Sequence, residues 1–217
     1  MRAAVAIFPG SNCDRDMAVA IKKITGKSPL KLWHKDTEAP NLDLIVIPGG
    51  FSFGDYLRCG ALAARSPIIK NIKNHISRGG ALLGVCNGFQ ILIEANILPG
   101  SLVRNKKLLF TCRETTLEVQ DSIKSPFLSS FNTGDCLNIP VAHNEGNYIA
   151  NNELLKELKN NGQIALKYKK SSEIETDYNP NGSLNDIAGI LSKNGRVLGM
   201  MPHPERSINS LHGGTDG

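Results

Sequence analysis

The chain lacks any apolar run of membrane-spanning length. Its continuous apolar stretches are short, as at Leu44–Ile47 and Ala81–Val85, against the roughly 20 residues that a spanning helix needs. It has no Cys-x-x-Cys pair. Its five cysteines, at positions 13, 59, 86, 112 and 136, are an odd number, which indicates neither a zinc knuckle nor a disulfide framework. No Gly-x-x-x-x-Gly-Lys-Ser/Thr loop and no Gly-x-Gly-x-x-Gly turn occurs, so the chain carries neither common phosphate-binding signature. Aromatic residues are scarce and are not interleaved with the basic ones. Lys and Arg number 25 against 20 Asp and Glu, a net charge of +5. They are scattered, as at Lys22, Lys23, Lys106, Lys107, Lys169 and Lys170, where a nucleic-acid footprint would be one concentrated stripe. No nucleic-acid or membrane partner is expected. The apolar start, residues 3–8, is followed by Asp14 and Arg15 without a small-residue cleavage site; it reads as a first strand, and the protein as cytoplasmic.

What is present is 217 residues with 41% apolar content, enough to bury a sizeable core. Continuously apolar strands alternate with helical periodicity. Strands are expected over 3–8, 30–33, 43–47 and 81–85. Helices are expected over 67–78 and 87–94, preceded by one ending near Ile24, with Ser11 or Asn12 as its N-cap and Met17, Ala20, Ile21 and Ile24 on its apolar face. The second half gives strands at 114–120, 139–142, 164–168, 187–191 and 197–201, and a helix at 152–159. No linker or repeat interrupts them. Apolar strands alternating with helices argue for an α/β fold: one domain over 1–217, a mostly parallel sheet with helices on both faces, and an antiparallel extension.

Three segments can carry chemistry, each at the carboxyl end of an expected strand, where open α/β sheets bind ligands. Gly84-Val85-Cys86-Asn87-Gly88 has the glycine-x-nucleophile-x-glycine pattern with a thiol as nucleophile. Cys86 would sit on a tight strand-to-helix turn, near the unpaired amides of a helix start. Alone, it also reads as a small buried thiol in a glycine-rich turn. Met201-Pro202-His203-Pro204-Glu205-Arg206 offers His203 as general base and Glu205 as the group that orients it. The flanking prolines predict an extended backbone, with both side chains projecting the same way. Alone, this is a surface histidine beside an acid; with Cys86 it completes a nucleophile, a base and an orienting carboxylate. Pro48-Gly49-Gly50-Phe51-Ser52-Phe53-Gly54-Asp55-Tyr56 is glycine-rich, and its Gly50 amide, with that of Asn87, can form an oxyanion hole. Cys13, Cys59, Cys112 and Cys136 read as ordinary small hydrophobes. Asn181-Gly182-Ser183 reads as a sequon without consequence. His34, His75 and His212 lack ligand-like spacing, and no metal is assigned.

These motifs resemble class I, triad-type glutamine amidotransferases. The resemblance rests on residues 49–58, Cys86-Asn87-Gly88-Phe89-Gln90, residues 179–183 and residues 199–206, in that order over essentially the whole chain. It implies a flavodoxin-like fold, with Cys86 as nucleophile, His203 and Glu205 as base and partner, and Gly50 and Asn87 as backbone oxyanion donors. Gln90 would line the glutamine pocket. His143-Asn144-Glu145-Gly146 stands where the family reads His-Gly-Glu-Gly at the mouth of the site. Asn144 in place of glycine is expected to tolerate a left-handed backbone there. The resemblance also implies a short apolar tail after a final Asp-Gly, where this chain stops at Gly217. The wording is most similar to glutaminase subunits of de novo purine synthesis. Such a subunit has no cofactor of its own and passes ammonia to a synthetase subunit that uses ATP and magnesium, together with a small third subunit. Two other readings stay open: a glutaminase serving another synthetase, and a non-catalytic α/β protein whose Cys86 is a redox or binding site.

Overall fold

The structure is a computed structural model that describes residues 1–172 and 176–217. Its elements in chain order are β1 (Ala3–Ile7), α1 (Asp14–Thr25), β2 (Leu30–Trp33), β3 (Leu44–Ile47), α2 (Ile68–Ser77), β4 (Ala81–Val85), α3 (Asn87–Glu94), β5 (Ser101–Val103), β6 (Thr111–Val119), β7 (Cys136–His143), β8 (Asn147–Ile149), α4 (Asn152–Asn160), β9 (Ile164–Lys169), β10 (Ile187–Leu191) and β11 (Val197–Met200). One nine-stranded sheet runs β2-β1-β3-β4-β11-β10-β9-β6-β7. From β2 to β11 every pairing is parallel. From β11 to β7 every pairing is antiparallel. β5 and β8 form a separate two-stranded ladder.

Burial follows position in the sheet and not strand direction. β10 and β11 are buried at every residue, as strands covered on both faces must be. β6 and β7 alternate over their second halves, as strands with one wet face do. α1 packs on β1, α2 on β4, and α3 on β3, β4 and β11. α1 has Asp14 and Asp16 in its first turn and Lys22 and Lys23 in its last, the arrangement its dipole favours. Gly26 closes it in the left-handed conformation, φ 71°. Among the described residues no helix is long and apolar enough to cross a membrane.

Several expectations need correction. The cap of α1 is Cys13, without a side-chain cap bond. Ser11 instead bridges to Gly50, and its hydroxyl accepts from the Phe8 amide at 3.1 Å, so this segment is spent on joining β1 to the loop after β3. Ile24 is not core: it is 73% exposed, at the last turn of α1. β6 and β7 begin earlier than the apolar pattern indicates; their first three residues are exposed or half-exposed. β7 accommodates Pro140 because it is an edge strand, where a missing amide costs little. The β5–β8 ladder leaves no trace in the apolar pattern, because three-residue strands are too short to show a period.

Candidate active site

Three neighbouring parallel strands end level with one another. Ile47 of β3 pairs with Gly84 of β4, and Val85 of β4 pairs with Met200 of β11. Gly49-Gly50, Cys86 and His203 follow these ends by one to three residues and so converge above the same edge. Cys86 occupies φ 51°, ψ −106°, a conformation that costs a non-glycine residue about 1–3 kcal/mol. It is held there by its amide, which donates to Met200 O at 2.7 Å, and by its carbonyl, which accepts from Gln90 N at 3.1 Å. The turn leaves no room beside it. A Cβ at Gly88 would stand 2.0 Å from Ile47 O, and one at Gly84 would stand 2.5 Å from Leu92 Cδ1. The glycines flanking the thiol are therefore set by helix-to-strand contact distance.

His203 is anchored through its backbone amide, which donates to Pro140 O of β7 at 2.8 Å. Its Nδ1 meets Glu205 Oε1 at 2.7 Å, with both side chains fully enclosed. The expected extended segment is not what brings them together. Pro204–Arg206 is a single 3₁₀ turn with Pro204 at its start, where the fixed φ of proline is already helical; the turn folds the carboxylate back under the ring. The carboxylate accepts, so Nδ1 carries the proton and Nε2 is left for the sulfur. Nε2 is buried and has no hydrogen-bond partner among the described residues. Burial pulls the His203 pKa down, but the negative sulfur of Cys86, Cys13 and the bond to Glu205 outweigh it and hold it well above the ordinary value. The imidazolium is thus favoured beside the nucleophile.

Gly49 is a site residue that the sequence reading did not single out. A Cβ there would lie 2.7 Å from His203 Cε1 and 3.2 Å from Cys13 Sγ. Gly49→Ala is accordingly expected to displace the imidazole and lower kcat by about 10²-fold, the scale of a 1 Å misplacement, with little change in thermal midpoint. Parallel kinetics and melting curves check this; an unchanged kcat would mean that the ring has slack that this packing denies.

The glycine loop is tied to the nucleophile helix. The Asn87 side chain accepts from Ser52 N at 3.1 Å and donates to Asp55 Oδ1 at 3.3 Å and to Gln90 Oε1 at 2.8 Å. Gln90 Nε2 donates in turn to Glu145 O at 2.7 Å. Phe53, Gly54, Asp55 and Leu57 all have positive φ, so the loop is held in a strained form. The Asn87 amide is in the first turn of α3, whose N–H groups have no intrahelical partner. At the Ser11–Gly50 bridge the amides of Phe51 and Cys13 make the neighbouring bonds, 3.0 and 3.3 Å, so the Gly50 amide is not used by that bridge. Gly50, Asp55, Cys86, Gln90, Arg104 and Glu145 line one cavity of about 530 Å³. Burial raises the Asp55 pKa, and Glu145 adds to the rise.

The 143–146 loop stands at the cavity wall, as the resemblance implies. It is braced from behind by residues the sequence reading did not assign. Asn105, 1% exposed, donates to His143 O at 2.9 Å, and its Oδ1 accepts from Gly146 N at 2.9 Å and faces His143 Nδ1 at 3.1 Å. Burial lowers the His143 pKa to about 3, so this ring is neutral. Asn181 and Ser183 are buried; Asn181 donates to Tyr168 Oη at 3.1 Å, and Ser183 Oγ donates to Gly146 O at 3.2 Å. Their sequon pattern is interior scaffolding. Asn144 is not among the positive-φ residues, so a left-handed backbone is not what this position requires. Its carbonyl accepts from Asn105 N at 2.8 Å.

The reading of the other cysteines is also corrected. Cys112 and Cys136 are exposed. Cys59 lines the cavity with Cys86, and burial, then Asp55, pushes its thiol pKa up. Cys13 is buried, and its Sγ, a ring nitrogen of His203 and a carboxylate oxygen of Glu205 lie within 4.8 Å of one another. This trio contains a metal-like donor set. However, Nδ1 is committed to Glu205, and the Cys13 sulfur is already the acceptor of a bond from the Arg206 cation at 3.2 Å. The trio belongs to the His203 site.

Comparisons with known proteins identify the family of the chain. The family described as the CobB/CobQ-like glutamine amidotransferase domain matches residues 1–214. The phosphoribosylformylglycinamidine synthase subunit PurQ of Rhizobium meliloti is 53% identical over 217 residues, 100% of this chain and 94% of the relative. The subunit of the same name from Ruegeria pomeroyi is 56% identical over 218 residues, again 100% and 94% of the two chains. Among solved structures, a chain of PurLQS from Thermotoga maritima superposes with a TM-score of 0.87 at 41% identity, covering 100% of this chain and 93% of that one.

Proposed function

The chain belongs to the CobB/CobQ-like glutamine amidotransferase family, and from that premise we propose that it is the glutaminase subunit of phosphoribosylformylglycinamidine synthase, with residues 1–217 acting as one glutaminase domain. Full-length relatives of that name support the reading. The observation that carries the chemistry is the enclosed His203–Glu205 pair, 2.7 Å apart, beside a strained Cys86 that opens on a cavity.

The Cys86 thiolate attacks the side-chain amide carbon of glutamine. The oxyanion that forms is received by the backbone amides of Gly50 and Asn87, and Gln90 lines the pocket. His203, protonated at Nε2, gives that proton to the departing nitrogen, so ammonia leaves and a γ-glutamyl thioester remains on Cys86. Neutral His203 then takes a proton from water, whose oxygen attacks the thioester carbon. Glutamate is released, and the thiolate and imidazolium are restored. Glu205 keeps the Nδ1–H tautomer throughout. A redox sensor or simple binding protein has no need of this buried base and carboxylate.

The ammonia passes to a synthetase subunit that converts formylglycinamide ribonucleotide to formylglycinamidine ribonucleotide, using ATP and magnesium that bind the partner. The Thermotoga maritima assembly named PurLQS supports a synthetase and a small third subunit as partners. The cytoplasm is the compartment that fits this chemistry. Because the loop after β3 is held in a strained form, docking of the partner is the event that sets the oxyanion donors. Glutamate release by the chain alone is expected to be slow. It should rise at least about tenfold when the synthetase and its nucleotide are titrated in, a change that requires only ~1.4 kcal/mol of barrier. A rate already high alone and unmoved by partner would favour an independent hydrolase.

A further inference from the structure

Behind the His203–Glu205 pair lies a second, unassigned pair. Cys13, 2% exposed, accepts from Arg206 Nη2 at 3.2 Å. It caps α1, which packs against the turn that carries Glu205 and Arg206. Its amide donates to Gly49 O at 3.3 Å and its thiol donates to Asn12 Oδ1 at 3.2 Å, so the sulfur is fixed from both sides. Glu205 presents a contrasting feature. Its Oε1 is bonded to His203, but its Oε2 is buried with no hydrogen-bond partner among the described residues. A buried, unpaired carboxylate oxygen is costly, and a guanidinium is the partner it would be expected to find. The guanidinium next in sequence is turned to a sulfur instead.

We infer that Cys13 is a positioning residue: its sulfur holds Arg206 away from Glu205, so that the Glu205 charge is directed to the His203 ring. An arginine paired with both carboxylate oxygens would compete with the imidazolium for the charge that supports it. The inference rests on the catalytic reading of Cys86, His203 and Glu205 given above.

The charges around the ring are consistent with this role. Cys86 faces it from the β4–α3 turn and Cys13 from the start of α1, both raising its pKa. His143 of β7 is near enough for the two rings to influence each other, and is neutral. On the outer side Arg15, Asp16 and His212 share a cleft with Glu205 and Arg206. Burial opposes the Arg206 charge; the Cys13 sulfur, then Glu205 and Cys86, outweigh it. Arg206 is thus within electrostatic reach of Glu205 while bonded to Cys13.

The test is the pH profile of kcat/KM for glutamate release by the chain with its synthetase present. Cys13→Ala frees Arg206 to pair with Glu205. Activity should fall roughly tenfold or more, and the alkaline limb should move to lower pH, because a less supported imidazolium loses its proton earlier. Cys13→Ser keeps an acceptor and should show a smaller loss and a smaller shift. Cys13→Ala combined with Arg206→Gln removes the competing cation and should recover activity relative to Cys13→Ala alone, a coupling that simple loss of packing would not produce. An unmoved alkaline limb in both Cys13 variants, or strictly additive losses in the double variant, overturns the inference. Should Cys13→Ala fail to fold, Cys13→Ser with and without Arg206→Gln decides: recovery of activity in the double variant supports the inference, and additive losses overturn it. A Cys86→Ala control separates the two levels: full glutaminase activity in that variant would refute the catalytic reading itself.

Discussion

Cys86→Ala is expected to remove glutamine-dependent synthesis by the complex, by roughly 10⁴- to 10⁶-fold, the range seen when the nucleophile of a triad is deleted. Synthesis supplied with ammonia should persist near the wild-type rate, because the amidine-forming chemistry lies on the partner. The size follows from the role. Without the sulfur no thioester forms, and the oxyanion donors have nothing to stabilise. The fold should survive: Cys86 is 5% exposed, but its backbone is held by bonds from its own amide and carbonyl, and the side chain is small. Comparison of glutamine- and ammonia-dependent rates on the same preparation checks both halves. Loss of both activities would point to a disturbed interface and not to a missing nucleophile.

Glu205→Gln should cost about 10²- to 10⁴-fold in kcat, at the scale of losing the group that fixes the tautomer of a catalytic imidazole. The amide has nearly the same shape as the carboxylate, so the 2.7 Å approach to Nδ1 can be kept while the charge is lost. The pH response has a definite sign. In the folded chain the His203 pKa is raised, so its protonation adds stability below the ordinary histidine value. That contribution is lost as pH rises through the elevated folded value. Removing the carboxylate removes one of the raising influences, so in the variant the alkaline limb of activity should move to lower pH. Rate–pH profiles of both proteins measure it. An equal kcat and an unshifted limb would reduce Glu205 to a structural neighbour.

The parts of this molecule legible in its sequence are those where a local requirement leaves a local trace. β3, β4, β10 and β11 are apolar throughout because both faces are covered, and such runs stand out. Gly84 and Gly88 are visible because helix and strand approach too closely for a Cβ. What was hidden depends on contacts between distant segments. Cys13 is 193 positions from Arg206, and nothing around it in sequence marks it as part of the site. Asn105 braces a loop 38 to 41 positions away. The turn at Pro204–Arg206 departs from the extended backbone that the flanking prolines predict, because the fixed φ of proline suits both states. A proline just before an acid in a short turn is the one signal that could have suggested the helical choice.

The central claim is that glutamine is opened on Cys86. Its most direct test is mass spectrometry of the chain, with its synthetase present, quenched in acid during turnover with glutamine. The account predicts a γ-glutamyl adduct that maps by peptide analysis to Cys86, is absent from Cys86→Ala, and accumulates when Glu205→Gln slows its hydrolysis more than its formation. An adduct on Cys59 or Cys13, or glutamate release at the wild-type rate from Cys86→Ala, would contradict it.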